Sequence, residues 1–162
     1  MEVSLSHSMP KSWHIGYGET IPREMRPPSH PKRVLELLRQ KTLDTRIAVV
    51  GASNAPDKYG NIIVKNLRRK GYAVIPVNTR EQNIDGLPAV ASLAEIDPPP
   101  TLVNIVTPPN VTRDILEQAS KLPIRAVWLQ DGSFDDEILD QLSRYSFETV
   151  YDACIMVVSN SV

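Results

Sequence analysis

Several things are scarce in this chain of 162 residues, and each scarcity excludes something. There is a single cysteine, Cys154, so no disulfide can close within the chain and no thiolate-based zinc site can form. A reducing cytoplasm is the compartment that fits. The three histidines, His7, His14 and His30, all lie at the start of the chain. A Ser-His-Asp relay or a histidine metal site is therefore excluded from residues 31–162. No apolar run approaches the ~20 residues that cross a bilayer. Residues 1–31 lack the apolar core of a secretory signal. Neither charge sign dominates, with 18 Lys and Arg against 19 Asp and Glu, so no broad basic surface invites nucleic acid and no membrane role is expected. Glycine is sparse, at 7 residues, while proline reaches 14. Average usage would give about 11 and about 8. Five of the prolines fall within the first 31 residues.

That proline bias predicts an arm over residues 1–30 and a compact body over 31–162. Trp13, Ile15 and Tyr17 alternate within the arm, as in a strap laid along the body. The body, at this length, can bury a sizeable core without covalent staples. Pro31 suits the first turn of a helix that runs to Thr42. Thereafter short apolar runs alternate with segments of helical period. Strands are expected at Arg46–Val50, Tyr72–Val77, Leu102–Val106, Ile124–Leu129 and Thr149–Tyr151. Helices are expected at Tyr59–Lys70, from Pro109 to Lys121, and from a Ser133 cap to about Tyr145, with a short turn at Ala91–Glu95. Ile62, Ile63 and Leu67 should face inward from the first of these helices, and Val111, Ile115, Leu116 and Ala119 from the second. Ser133 and Asp136 match the S-x-x-D capping box.

Alternating strands and helices mean βαβ units and a parallel sheet. Near-continuous apolar strands mean that helices cover both faces. The expected fold is α/β: a Rossmann-like three-layer sandwich with a mostly parallel five-stranded sheet in the order 3-2-1-4-5. Ligands of such sheets bind beyond the carboxyl ends of the strands. Those ends read Gly51-Ala52-Ser53-Asn54, Asn78-Thr79-Arg80, Thr107-Pro108-Pro109 and Gln130-Asp131-Gly132. The first follows VVGASNAPDKYGN, a glycine turn entering a helix. Free N–H groups at a helix start favour phosphate. Ser53 and Asn54 can donate to phosphate oxygens, and Lys58 brings a positive charge. A tight turn with no ligand would have the same residue types. The G-x-G-x-x-G dinucleotide fingerprint is absent. Where NAD sites hold an acidic residue, this chain has Arg80, which suits a phosphate.

The segments IAVVGASNAPDKYGNIIVKNLRRKGYAVIPVN, VNIVTPPNVTRDILEQA, AVWLQDG and DACIMV together carry a resemblance. Arg46 to Val158 resembles the small stand-alone CoA-binding proteins. It is also similar to the CoA-binding domain of succinyl-CoA synthetase alpha subunits and ADP-forming acyl-CoA synthetases. The resemblance implies that coenzyme A or an acyl-CoA is the ligand. Gly51, Ala52, Ser53 and Asn54 would wrap its phosphates, and Lys58, with Tyr59 beside it, would neutralise and flank them. Val77, Asn78 and Arg80 would meet the adenosine end. Val106, Thr107, Pro108 and Pro109 would line the groove, and Gln130 would lie where pantetheine passes.

The chain departs from the family at one place. The stand-alone proteins commonly end D-R-C, an apolar pair, Val, Glu and His, whereas Asp152-Ala153-Cys154-Ile155-Met156-Val157-Val158-Ser159 has no arginine, glutamate or histidine there. Cys154 thus lacks a basic neighbour in sequence that would activate it and is expected to be a small packed side chain. No nucleophile–base pair stands at any strand end, so a binding module without catalytic residues is the expectation, as a monomer or homodimer. An interaction protein that has lost the ligand and an NADP-binding oxidoreductase component are the alternatives. The apolar tail Ile155–Val158 could extend the sheet of another chain.

Overall fold

The structure, a computed structural model, describes residues 31–41 and 45–162. The proposed arm, with Trp13, Ile15 and Tyr17, lies outside the described residues. Five strands form one parallel sheet: β1 (Arg46–Val50), β2 (Ala73–Val77), β5 (Leu102–Ile105), β6 (Ala126–Leu129) and β7 (Glu148–Val150). Between β2 and β5 a two-residue antiparallel hairpin, β3 (Asn83–Ile84) and β4 (Leu87–Pro88), sits apart. The helices are α1 (Lys32–Gln40), α2 (Tyr59–Arg69), α3 (Pro109–Ser120), α4 (Asp136–Gln141) and α5 (Ile155–Val158).

Strand composition explains the layering. In β1, Ile47 and Val49 enter the core beneath α1, α2 and α5, while Ala48 and Val50 enter the core beneath α3 and α4. In β6, Ala126 and Trp128 face the first core, and Val127 and Leu129 the second. Successive side chains point to opposite faces, so a strand buried on both sides must be apolar throughout. The α/β three-layer reading therefore holds.

The strand order does not. The sheet runs β2-β1-β5-β6-β7, which in sheet strands is 2-1-3-4-5 rather than 3-2-1-4-5. The connection after β2 is the cause. It contains only the hairpin and a three-residue 3-10 turn, Leu93–Glu95, instead of a crossover helix. Its Val90 bridges Val77 in parallel, with Asn78 N–H donating to Val90 O at 2.9 Å and Val90 N–H to Pro76 O at 3.1 Å. The carboxyl end of the free margin of β2 is thereby occupied, and the third sheet strand takes the other side of β1. The switch point lies between β1 and β5, because right-handed crossovers running in opposite directions put α2 and α3 on opposite faces.

Smaller corrections follow from packing. Ile62 and Val111 point outward, at 40% and 39% exposure, and Val64 and Thr112 are buried instead. Thr112 is tolerated there because its hydroxyl donates to Thr107 O or Pro108 O, each at 3.1 Å. Residues 155–158 form α5, not a strand. That helix is held from below by Trp128, whose Nε1–H donates to Ala153 O at 2.8 Å, and from the side by Lys70, whose Nζ reaches Met156 O at 2.5 Å. Burial lowers the Lys70 pKa.

The expected cap at Ser133 is also displaced. Ser133 Oγ donates back to Gln130 O at 2.6 Å, and Asp135 caps α4 by accepting from Ile138 N–H at 2.9 Å. That bond, with help from Arg113, holds the Asp135 carboxyl below its usual range. Its stabilising effect is therefore present above the ordinary carboxylate pKa and fades as pH falls through the lowered one. Asp135→Ala should cost about 1 kcal/mol at neutral pH, the usual value of an N-cap. Asp135→Asn should retain most of it and remove the acid dependence. Urea midpoints at pH 7 and in the acid range measure both.

Candidate functional site

The carboxyl ends of the sheet strands converge on one edge. β1 runs into Gly51, which turns at φ +94°. A Cβ at Gly51 would meet Val106 Cγ2 at 2.7 Å, so the turn lies hard against the end of β5. The first turn of α2 is closer still: a Cβ on Gly60 would lie 2.1 Å from Gly51 O. Only glycine lets the helix start on top of the turn. Asn61, 3% exposed, locks this contact by donating from Nδ2 to Ser53 O at 2.8 Å. The first N–H groups of a helix lack partners within the helix, and α2 begins at Tyr59 beside this turn. One hollow of about 390 Å³ opens at this junction, lined by Gly51, Ala52, Ser53, Lys58, Tyr59, Gly60, Asn78 and Val106. A helix start suits an anion through its first-turn N–H groups and the positive end of the helix dipole.

A groove of about 320 Å³ continues from the hollow between the ends of β1 and β2 and the flank of α3. Its lining includes Val50, Gly51, Val77, Asn78, Thr79, Arg80, Thr107, Val111 and Ile115. The walls are largely apolar, and Arg80 is the cation among them. On the other side, Tyr59 leads from the hollow into a small pocket of about 110 Å³ with Gln130, Asp131, Asp152, Ala153 and Cys154. The Tyr59 hydroxyl lies 3.0 Å from Cys154 Sγ. Burial, the Cys154 contact and the charge of Asp131 push the Tyr59 pKa up to about 12, so the phenol stays protonated at neutral pH. A larger hollow, about 520 Å³, opens between α1 and the starts of β6 and β7. It lies at the amino edge of the sheet, opposite the edge where ligands of open α/β sheets bind.

The sequence-selected residues divide by what they touch. Gly51, Ala52, Ser53, Lys58 and Tyr59 line the hollow, and Val77, Arg80 and Thr107 line the groove. Val106 joins the hollow, while Pro108 and Pro109 open α3 at its rim without lining either space. Three polar residues are engaged within the protein. Asn54 donates from Nδ2 to Asn83 O at 2.7 Å and accepts from Asp85 N–H at 3.0 Å. Asn78 donates to Ala52 O at 2.8 Å and accepts from the N–H groups of Arg80 and Glu81 at 2.7 and 2.9 Å. Gln130, 1% exposed, pairs with the buried Asn104 amide at 2.6 Å. With its amide turned to suit its neighbours, the Gln130 oxygen also faces Ile155 N–H at 3.3 Å. It thus frames the small pocket from behind.

Sequence reasoning missed Asn61, Glu81 and Asn104. Asn104 had a signal, a lone amide within the apolar run LVNI. Asn61 had a weaker one, a polar residue adjoining Gly60 on the inward side of a helix. Glu81 had none. Among the described residues no three metal-ligating side chains gather, and no helix is long and apolar enough to cross a membrane.

A family model described as a CoA binding domain matches residues 45–160. The uncharacterised protein YneT of Bacillus subtilis is 33% identical over 112 residues, which cover 69% of this chain and 83% of that protein. The alpha subunit of an ADP-forming acetate–CoA ligase from Pyrococcus furiosus is 28% identical over 124 residues, but these span only 27% of its length. A conserved hypothetical protein of known structure from Pyrococcus furiosus superposes with a TM-score of 0.66 at 38% identity, covering 69% of this chain and 97% of that one.

Proposed function

The chain belongs to the CoA-binding domain family, and on that footing we propose that it binds coenzyme A or an acyl-CoA along the carboxyl edge of its sheet, as a binding module and not a catalyst. The observation that carries this is the hollow at the start of α2, where the glycine turn, the first residues of the helix and Lys58 line one space of a size to take a diphosphate. The adjoining groove supplies apolar walls for adenine, and Arg80 stands where a phosphorylated ribose would lie. Pantetheine would pass Tyr59 and bring its thiol toward Cys154.

A non-catalytic role is favoured by what residues 31–162 lack, and not by the thiol-end pocket. The pocket there is lined by Tyr59, Gln130, Asp131, Asp152, Ala153 and Cys154. No histidine follows residue 30 to act as a base. The ligase subunit is nearly four times the matched length, and its activity is not carried over to this chain.

Arg80 would equally suit the ribose phosphate of NADP, so titration calorimetry with CoA, NADP+ and NAD+ is the deciding experiment. CoA should bind without turnover. At 100 times its Kd it should stabilise the fold by about 2.7 kcal/mol, raising Tm by about 5–10 °C for a chain of this size. Binding of NADP+ in place of CoA, or of neither, would overturn the reading.

Lys58 gives a second check. Its ammonium is exposed and would meet phosphate across solvent. Lys58→Ala should weaken CoA binding about fivefold at low salt, in line with the 0.2–1 kcal/mol of an exposed charge pair. The loss should shrink below about twofold at half-molar salt, where screening acts within a few ångströms. A loss independent of salt would mean that the lysine stem packs and its charge is idle.

A further inference from the structure

Asn54 stands in the glycine turn, yet every polar atom it offers beyond its carbonyl is bound to the segment after β2. Its main-chain N–H donates to Glu81 Oε2 at 3.0 Å, Nδ2 to Asn83 O at 2.7 Å, and Oδ1 accepts from Asp85 N–H at 3.0 Å. Asp85 is held in turn by Arg68 of α2, which reaches its carbonyl at 2.6 Å and its carboxylate at 2.8 Å. Asn78 ties the near end of the same segment to Ala52 O. Residues 78–85 are therefore fastened to the turn at both ends, and the exposed Arg80 stands between the two fastenings.

A long cation on a free loop loses much of its reach to side-chain and backbone entropy; on a fixed loop that loss is smaller. We propose that Asn54, with Glu81 as its partner, is a positioning residue that fixes the Arg80 segment against the glycine turn, and so sets the preference of the site for a nucleotide whose ribose carries a phosphate. The inference rests on the ligand reading above and deepens it. Asn54 acts through Arg80 and not on the diphosphate.

The test is calorimetric titration of the full chain with CoA and with 3′-dephospho-CoA, which differ only in the ribose phosphate. The wild type should prefer CoA by at least about tenfold, the range of a charge-assisted contact. Asn54→Ala should bring the two ligands within about twofold while leaving 3′-dephospho-CoA within about threefold of wild type. Arg80→Ala should do the same, and the double variant should lose nothing further, because the two residues serve one contact. Glu81→Ala should reproduce the effect, while Glu81→Gln, which keeps the acceptor, should restore the preference. Glu81 is a half-exposed loop residue, so its variants keep the test open if Asn54→Ala folds poorly.

Equal loss for both ligands in Asn54→Ala would overturn the proposal, since that residue would then act on the diphosphate turn itself. An unchanged preference would overturn it too, as would a wild type that binds both ligands alike. A wild type that binds neither would instead take down the ligand reading, and the wild-type titration alone separates that case from the others.

Discussion

Gly60→Ala should lower Tm by about 6–12 °C, from about 3 kcal/mol of lost stability at about 2–4 °C per kcal/mol, and should leave no measurable CoA binding. The added methyl would sit 2.1 Å from Gly51 O and 2.9 Å from Gly51 C. Neither is the far end of a flexible side chain. To relieve the overlap, α2 must lift from the turn or the turn must retreat, and Gly51 is itself backed by Val106. Ala is the better helix former by nearly 1 kcal/mol, so a result governed by helix propensity alone would have the opposite sign. Ile62→Ala, two residues along the same helix and 40% exposed, is the control and should stay within about 0.5 kcal/mol. Differential scanning calorimetry reads both variants. A Gly60→Ala protein as stable as the wild type would mean that the turn and helix do not touch as described.

Ser53→Trp should abolish CoA binding, by at least about 100-fold, the scale of losing a well-placed multi-donor anion site, while Tm stays near that of the wild type. Ser53 lies on the floor of the hollow, and its hydroxyl accepts only a local bond from Ala55 N–H at 3.1 Å. An indole there fills the space meant for phosphate without entering either core. The two variants separate cause from consequence: Gly60→Ala loses binding together with stability, Ser53→Trp loses binding alone. Retained affinity in Ser53→Trp would place the ligand elsewhere.

The layering was legible because it depends on composition that repeats within each strand. Ile47 to Val50 and Ala126 to Leu129 can only be doubly buried strands in a sheet of this kind. Strand order was not legible, because nothing in Leu102–Ile105 says which neighbour it prefers. The connection before it forms a hairpin and a bridge from Val90 to Val77 in place of a crossover helix, and its residues have neither helical nor strand period to announce this. The helix cap failed for a related reason. Ser133 and Asp135 compete for the same role two residues apart, and the hydroxyl is drawn back to Gln130 O.

At the candidate site, the gathering of the glycine turn, Lys58 and Arg80 along the carboxyl edge was legible, since it follows from their places at strand ends. What the short amides do was not. Asn54 and Asn78 have the right chemistry for a ligand, but exposed loop backbone also needs partners, and short amides reach it first. Sequence cannot tell whether such a residue faces outward or holds its own loop.

The part-occupied margin of β2 bears on how this protein behaves at high concentration. A parallel sheet has two margins, each a row of backbone groups that a foreign strand could zip onto. On one margin Val90 already occupies the position beside Val77, and Pro76 has no N–H to offer. On the other, β7 is only three residues long, with the charged Glu148 at its start. Among the described residues neither margin presents a template long enough for strand-by-strand growth. Concentrated solutions of this domain should therefore resist fibrillar aggregation for as long as the fold persists.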